Sequence, residues 1–443
     1  MSENKNRNKI TLNYIQKTNG KITYQFEYSE NLKEYFNSNE SFFIDYYDIN
    51  INDIPDSILV IPFLCNVLPI AWVLDAIIYL NEVDKVFFKS IDEFKKGYIN
   101  MYPRINFLGE VNVDELIDNS TKNQDGNNLA FFSGGVDAFN TLINHIDEEP
   151  VLLTLWGSDI FFNDTEGWNN VKNHVLKTSE RFSVKCRFVK SNFRKIFNEG
   201  KLSTFVYEKA NDGWWHGFQH GIGLIGHAAP LAYMYSSRIV YIASTFTAKD
   251  AGKITCASDP TIDNFVKWAS TDIVHDGYEF TRQDKIRNIC NFIQEHSNIK
   301  INLRICWQSV GGKNCNICEK CYRTTMGILA EKQDPNDYGL LYSCVHNKKM
   351  KNDIYYKIKF DHILIPLWED IQDRFLQVTE IFIQYPELKW ITKVNFKKIN
   401  DDLVRRIMKL NERTRQVVKQ IIPFKILILF KNIILHLLLR RGH

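Results

Sequence analysis

Apolar positions along this chain change period several times, and each change predicts an element. Residues 10–15 and 21–26 alternate apolar with polar positions on either side of Asn19-Gly20, the pattern of a β-hairpin. The apolar run 58–74 carries Pro62, Asn66 and Pro69 and is followed by Asp75. That interruption predicts a buried strand at 57–62 and a helix from 69 to about 81 rather than a membrane span. A polar run at 118–128, with Asp125-Gly126, reads as a linker, so 1–125 is expected to be an N-terminal α+β extension. From 129 the rhythm becomes β-α-β, with strands expected near 129–132, 151–156, 184–189 and 238–243. Helices are expected near 138–144, 167–177, 218–235 and 283–294. Such alternation predicts an α/β fold, a parallel sheet with helices on both faces, over 126–335. Ligands of such sheets bind beyond the carboxyl ends of the strands. Beyond 335, residues 363–382 and 401–422 show helical spacing with charges between, so 336–443 reads as a C-terminal helical extension.

Composition narrows the class. With 44% apolar and 24% charged residues the chain is globular, and a net charge of +3 is too small to argue for direct nucleic-acid binding. The polar start Met1-Ser2-Glu3-Asn4-Lys5 predicts no secretory signal, which points to the cytoplasm. In the run 421–439, Pro423, Lys425, Lys431, Asn432 and His436 interrupt the apolar residues. This spacing predicts an amphipathic terminal helix, packed on the protein or making peripheral membrane contact.

Two motifs carry chemistry. In the first, the apolar residues 129–132 meet Ser133-Gly134-Gly135-Val136-Asp137, and a helical pattern follows. A strand, a glycine turn and a helix N-terminus together make an anion site, because unpaired N–H groups and the positive helix end point the same way. In the second, Cys306, Cys315, Cys318 and Cys321 lie within sixteen residues. Four clustered thiolates in a chain without an export signal suit a structural, tetrahedral Zn2+ site, with an iron–sulfur cluster or reduced thiols as the other readings. Lys313, Lys320 and Arg323 would offset its negative charge.

The first motif resembles the Ser-Gly-Gly-x-Asp-Ser loop of the PP-loop ATP pyrophosphatases, with Ala138 in place of the final Ser. Together with the downstream Cys-x8-Cys-x2-Cys-x2-Cys it resembles the 7-cyano-7-deazaguanine synthase family, over about 127–330. The resemblance implies an adenine-nucleotide alpha hydrolase-like fold and an enzyme that uses ATP and Mg2+ to adenylate a deazapurine-like carboxylate. AMP and pyrophosphate would be released, and an amide, a nitrile or a conjugate with a protein acceptor would form. The two extensions make the chain resemble relatives found in multi-gene operons, including antiphage defence loci. By the same resemblance the loop Ser133, Gly134, Gly135, Val136 and Asp137 would bind pyrophosphate; the strand-end rule adds Trp156 and Asn192 as cofactor-binding candidates. Arg282 or Lys285, in the Thr281–Ile286 segment, would reach phosphate and act with Asp137 in catalysis. Gly217-Phe218-Gln219-His220 stands where the family has Gly-Arg-Asn, and the Arg is absent.

Residues alone add candidates. Lys190, Lys249 and Arg282 lie near expected strand ends and could neutralise phosphate charge. The segment Trp214–Gly221 offers Trp214 or Trp215 to stack on a planar base and His216 or His220 to hydrogen-bond it. Equally, it could be a helix start packed under the sheet. Asp259, in a polar loop, is the candidate for reading an amino group or a ring N–H. A catalytic His–Cys pair is possible but has no support in the sequence, as no isolated Cys sits in an obvious nucleophile elbow. Three functions follow: a carboxylate-activating synthetase, a tRNA-modifying PP-loop enzyme, or a degenerate nucleotide-binding subunit. A homodimer is left open.

Overall fold

The computed structural model describes residues 7–37, 40–120, 125–306 and 311–401. The chain divides into two compact units, Met1–Leu341 and Tyr342–His443. In the first, eleven strands among the described residues form one sheet: β1 Asn8–Thr18, β2 Lys21–Tyr28, β3 Phe42–Asp45, β4 Ala76–Asp84, β5 Glu110–Ile117 and β6 Leu129–Phe131. The others are β7 Val151–Trp156, β8 Cys186–Ser191, β9 Ile239–Ala243, β10 Lys267–Trp268 and β11 Thr271–Asp276. Their spatial order is β10-β11-β9-β6-β7-β8-β3-β2-β1-β4-β5.

The five strands β11-β9-β6-β7-β8 are mutually parallel. Successive strands after β6 go first to one side (β7, β8) and then to the other (β9, β11), so the direction of winding reverses at β6. In a doubly wound sheet that reversal opens a crevice at the carboxyl end of the first strand. The β1–β2 hairpin turns at Asn19-Gly20, and its partner β3 pairs antiparallel with β8. The N-terminal strands therefore extend the same sheet.

Alternation along the strands sorts side chains onto two faces. Val151, Leu153 and Leu155 of β7 enter one core with Phe63, Trp214, Phe218 and Ile222. Leu152 points the other way, into a second core with Phe139, Val175, Ile289 and Ile328. The helix Ile61–Val73 is buried along its whole length. Here the expected strand at 57–62 is corrected: Asp56–Leu59 and Ile61–Val73 are helical, and the helix expected at 69–81 holds only to Val73 before β4 begins at Ala76. A helix buried on every side has no polar stripe, so its sequence reads like a buried strand. The expected helix at 218–235 is a chain of short turns, starting with a wide π turn at Trp215–Gln219 and ending at Ala229–Tyr235 with Pro230 in its first turn.

The second unit holds helices Cys344–Tyr356, Leu364–Gln377 and Ile381–Gln384. The expected amphipathic helix at 421–439 lies outside the described residues. No helix among the described residues is long and apolar enough to cross a membrane.

Candidate functional site

A cavity of about 320 Å3 opens over the carboxyl ends of β6, β7 and β9. Ser133, Asp137, Thr154 and Ala243 line it, as do Arg304, Lys320, His216, His220 and Cys256. That is the place the winding reversal of the sheet leaves open.

The loop Ser133–Asp137 forms its floor. Gly134 has φ +78°, and a Cβ there would lie 2.5 Å from His174 Nε2, so conformation and space both demand glycine. Gly135 caps the helix Val136–Asn144, whose first N–H groups have no intrahelical acceptor. Segment 303–306 holds the loop from outside. Arg304 N donates to Gly134 O at 2.7 Å, and Arg304 Nε donates to Ser133 O at 3.0 Å. Beneath Gly134, burial first and then Arg304, Arg181 and Lys177 depress His174 to about 4, which keeps it neutral near pH 7.

Asp137 is the centre of the charge. Arg282 Nη1 lies 2.5 Å and Lys285 Nζ 3.7 Å from its two oxygens. Both cations come from the helix Arg282–Glu295, three residues apart on one face, at a start fixed by the Thr281/Asp284 capping box. Lys285 also donates to Ser244 O just after β9, at 2.5 Å. Burial would raise the Asp137 carboxyl, but Arg282, Lys285, Lys320 and Arg323 outweigh it and hold the group below its ordinary value. Burial lowers Lys320 to about 8, with Arg282 adding to the effect. Arg323 is itself paired with Glu319 at 2.8 Å, so Arg282, Lys285 and Lys320 are the cations left around one carboxylate, and Nε and Nη2 of Arg282 are buried without a hydrogen-bond partner among the described residues. Buried donors left unpaired beside an excess of positive charge suit a bound anion.

The cysteine cluster is the second centre. The Sγ atoms of Cys306, Cys315, Cys318 and Cys321 lie within 4.8 Å of one another. The Cys306–Cys318 and Cys315–Cys321 pairs are each 3.8 Å apart, and Cys318 N donates to Cys315 Sγ at 3.3 Å. A tetrahedron with metal–sulfur bonds of about 2.3 Å has edges of about 3.8 Å, so the group could hold a metal such as zinc. Cys318 and Cys321 sit at the N-terminus of the helix Glu319–Ala330, whose dipole favours thiolate charge. That same helix carries Lys320 into the cavity, while Arg304 stands two residues before Cys306. The cluster is thereby wired to the floor of the site.

Sequence candidates divide into those gathered here and those elsewhere. Ser133, Asp137, His216 and His220 line the cavity, and Arg282 and Lys285 back Asp137. Trp156 stacks on Trp168 at 5.0 Å with Lys190 Nζ 4.5 Å over its ring. Asn192 is buried and spends its amide on Phe43 N, Ser41 O and Glu40, tying β8 to β3. Trp214 is in the core, stacked on Phe218. Trp215 packs edge-on to His220 with Arg194 3.9 Å over its ring. Asp259 caps a short turn through Thr261 N and Oγ1. Sequence reasoning missed Arg304 and His174 as supports of the loop, and missed Cys256 beside His216. His174 carried no signal, being one polar residue within a helix. For Cys256 the signal lay in His216-x3-His220, which sets two imidazoles one turn apart.

Comparison of the chain with models of protein families, with curated proteins and with solved structures finds no match.

Proposed function

We propose that this chain is an ATP-dependent synthetase of the PP-loop type, similar to the 7-cyano-7-deazaguanine synthases, which adenylates the carboxylate of a deazapurine-like small molecule. The observation that carries the reading is the excess of buried cations around Asp137, with unpaired Arg282 N–H groups, beside a glycine loop at the switch point of the sheet. The helix end and the N–H groups of 134–138 would hold pyrophosphate as it leaves, and Arg282, Lys285, Lys320 and Arg304 would stabilise the charge that builds on it. Asp137 orients Arg282 and Lys285 and would be the carboxylate to hold Mg2+, which would supply further charge neutralisation when bound. Apolar walls from Phe131, Leu224 and Phe246 and the polar edges of His216 and His220 suit a flat heterocycle. Zn2+ at the four cysteines would be structural, since four protein thiolates leave no open coordination position.

The test is mass spectrometry of the full chain with ATP, Mg2+, ammonium and 7-carboxy-7-deazaguanine. AMP, pyrophosphate and an amide or nitrile are expected, or a conjugate when a protein acceptor replaces ammonium. A second reading, a nucleotide-binding subunit without turnover, draws on Ala138, which lines the cavity without the hydroxyl of the PP-loop pattern. Tight ATP binding with no AMP would favour it.

A further inference from the structure

Across the cavity from the glycine loop, a second set of reactive groups converges. Asp212 Oδ1 and Oδ2 lie 3.1 and 3.0 Å from His216 Nδ1. Tyr102 Oη at 3.0 Å and Thr255 Oγ1 at 2.9 Å donate to Asp212 Oδ2, and Gly213 N donates to Oδ1 at 2.8 Å, so the carboxylate is fixed by its own donors. Gly217 permits this approach, because a Cβ there would lie 2.5 Å from Tyr102 Oη. With Nδ1 engaged by Asp212, His216 lines the cavity together with Cys256, whose following residue is pinned to the same turn by Ala257 N donating to His216 O at 2.8 Å. His220, one turn on, lines the cavity with them. Burial would raise the thiol, but the imidazoles of His216 and His220 bring it down to about 6. The bond to Asp212 and the contact with Cys256 lift His216 to about 10. Between those values the pair is thiolate and imidazolium, the activated form of a cysteine nucleophile. Among the described residues these four side chains do not draw together as metal ligands do, and Cys256 is in no disulfide.

We propose that Cys256, paired with His216 and oriented through it by Asp212, is a covalent nucleophile that takes the acyl group from the adenylate as a thioester before it passes to an amine. The inference rests on the adenylation reading above. The chemistry balances in three steps. A carboxylate oxygen attacks the α-phosphorus of ATP, and the bond to pyrophosphate breaks with its electron pair leaving on pyrophosphate. The Cys256 thiolate then attacks the acyl carbon, an S–C bond forms, the C–O bond to the phosphate breaks, and AMP departs. Finally the amine attacks the thioester carbon, the S–C bond breaks, the thiolate is regenerated, and the amine's proton goes to His220 or to water. Asp212 touches neither substrate nor sulfur and is a positioning residue. Storing the acyl group on sulfur would let AMP leave the crowded cavity before a bulky acceptor arrives, which suits a protein amine as well as ammonia.

The test uses the full chain with ATP, Mg2+ and 7-carboxy-7-deazaguanine in the absence of any amine. Pyrophosphate release is followed, and the acid-quenched protein is then mapped by mass. The expected result is pyrophosphate release with a hydroxylamine-labile acyl adduct on the Cys256 peptide. Cys256→Ala should lose the adduct and slow product formation by about 100-fold or more. Asp212→Asn should lower the rate of adduct formation while shifting its pH profile, which a merely structural role would not do. Pyrophosphate release from native protein with no adduct on Cys256 overturns the thioester and leaves adenylation standing. Absence of pyrophosphate release overturns both. Because the decisive mapping is done on the native chain, the outcome does not depend on a variant folding.

Discussion

Asp137 holds Arg282 and Lys285 in a setting where neither cation reaches bulk water, so its removal leaves two buried charges unmatched. Asp137→Ala is expected to cost about 3–5 kcal/mol of stability, read by urea unfolding. A change near zero would mean that solvent reaches the pair. Gly134→Ala should fail differently. A methyl 2.5 Å from the His174 ring, on a backbone with φ +78°, displaces the loop and weakens ATP binding roughly tenfold or more, measured by titration calorimetry. Cys256 gives a pH signature. Its thiol pKa is depressed, so thiolate persists as pH falls until about 6, where an ordinary cysteine would already be protonated. The groups facing it are His216, His220, Tyr98 and Tyr102, with Asp212 behind His216. Iodoacetamide labelling of Cys256 should show a midpoint near 6, and one near 9 would remove the ion pair.

Elements differ in how legibly the sequence announced them. Alternating residues around Asn19-Gly20 and the apolar strand of β7 sit where their period and turn chemistry place them, because one face or both faces of a strand leave a plain trace. Ile61–Val73 left a misleading one, since complete burial erases the period by which a helix is recognised. The candidate site follows the same logic. A glycine loop and clustered cysteines are local patterns and could be read from neighbours in sequence. Arg304 over Ser133, and Cys256 beside His216, are meetings of segments 171 and 40 residues apart and leave no local trace. The cysteine helix Glu319–Ala330 joins the two kinds, because one element supplies Cys318, Cys321 and Lys320. Metal analysis should therefore find about one zinc per chain. Chelation should lower the melting temperature and ATP affinity together, because Arg304 and Lys320 lose their anchor. Loss of zinc with unchanged ATP affinity would contradict the coupling.

At the scale of the molecule, one sheet spans both the strands that frame the cavity and those that precede them. β3 covers the edge of β8, and residues of the first 107 positions supply much of the core on one face. A chain shortened to begin at residue 126 would expose a parallel-sheet edge and that apolar face, and it is expected to aggregate on size-exclusion chromatography. A folded monomer would show that the cavity-bearing half stands alone. The central claim, that the cavity over Ser133–Asp137 joins a carboxylate to the α-phosphate of ATP, is tested most directly by isotope transfer. The full chain is incubated with ATP, Mg2+, ammonium and carboxyl-18O-labelled 7-carboxy-7-deazaguanine, and the released AMP is weighed. The account predicts AMP carrying one 18O atom, because the carboxylate oxygen that attacks phosphorus stays with it when the acyl carbon is released. Unlabelled AMP, or ADP as the nucleotide product, would contradict it.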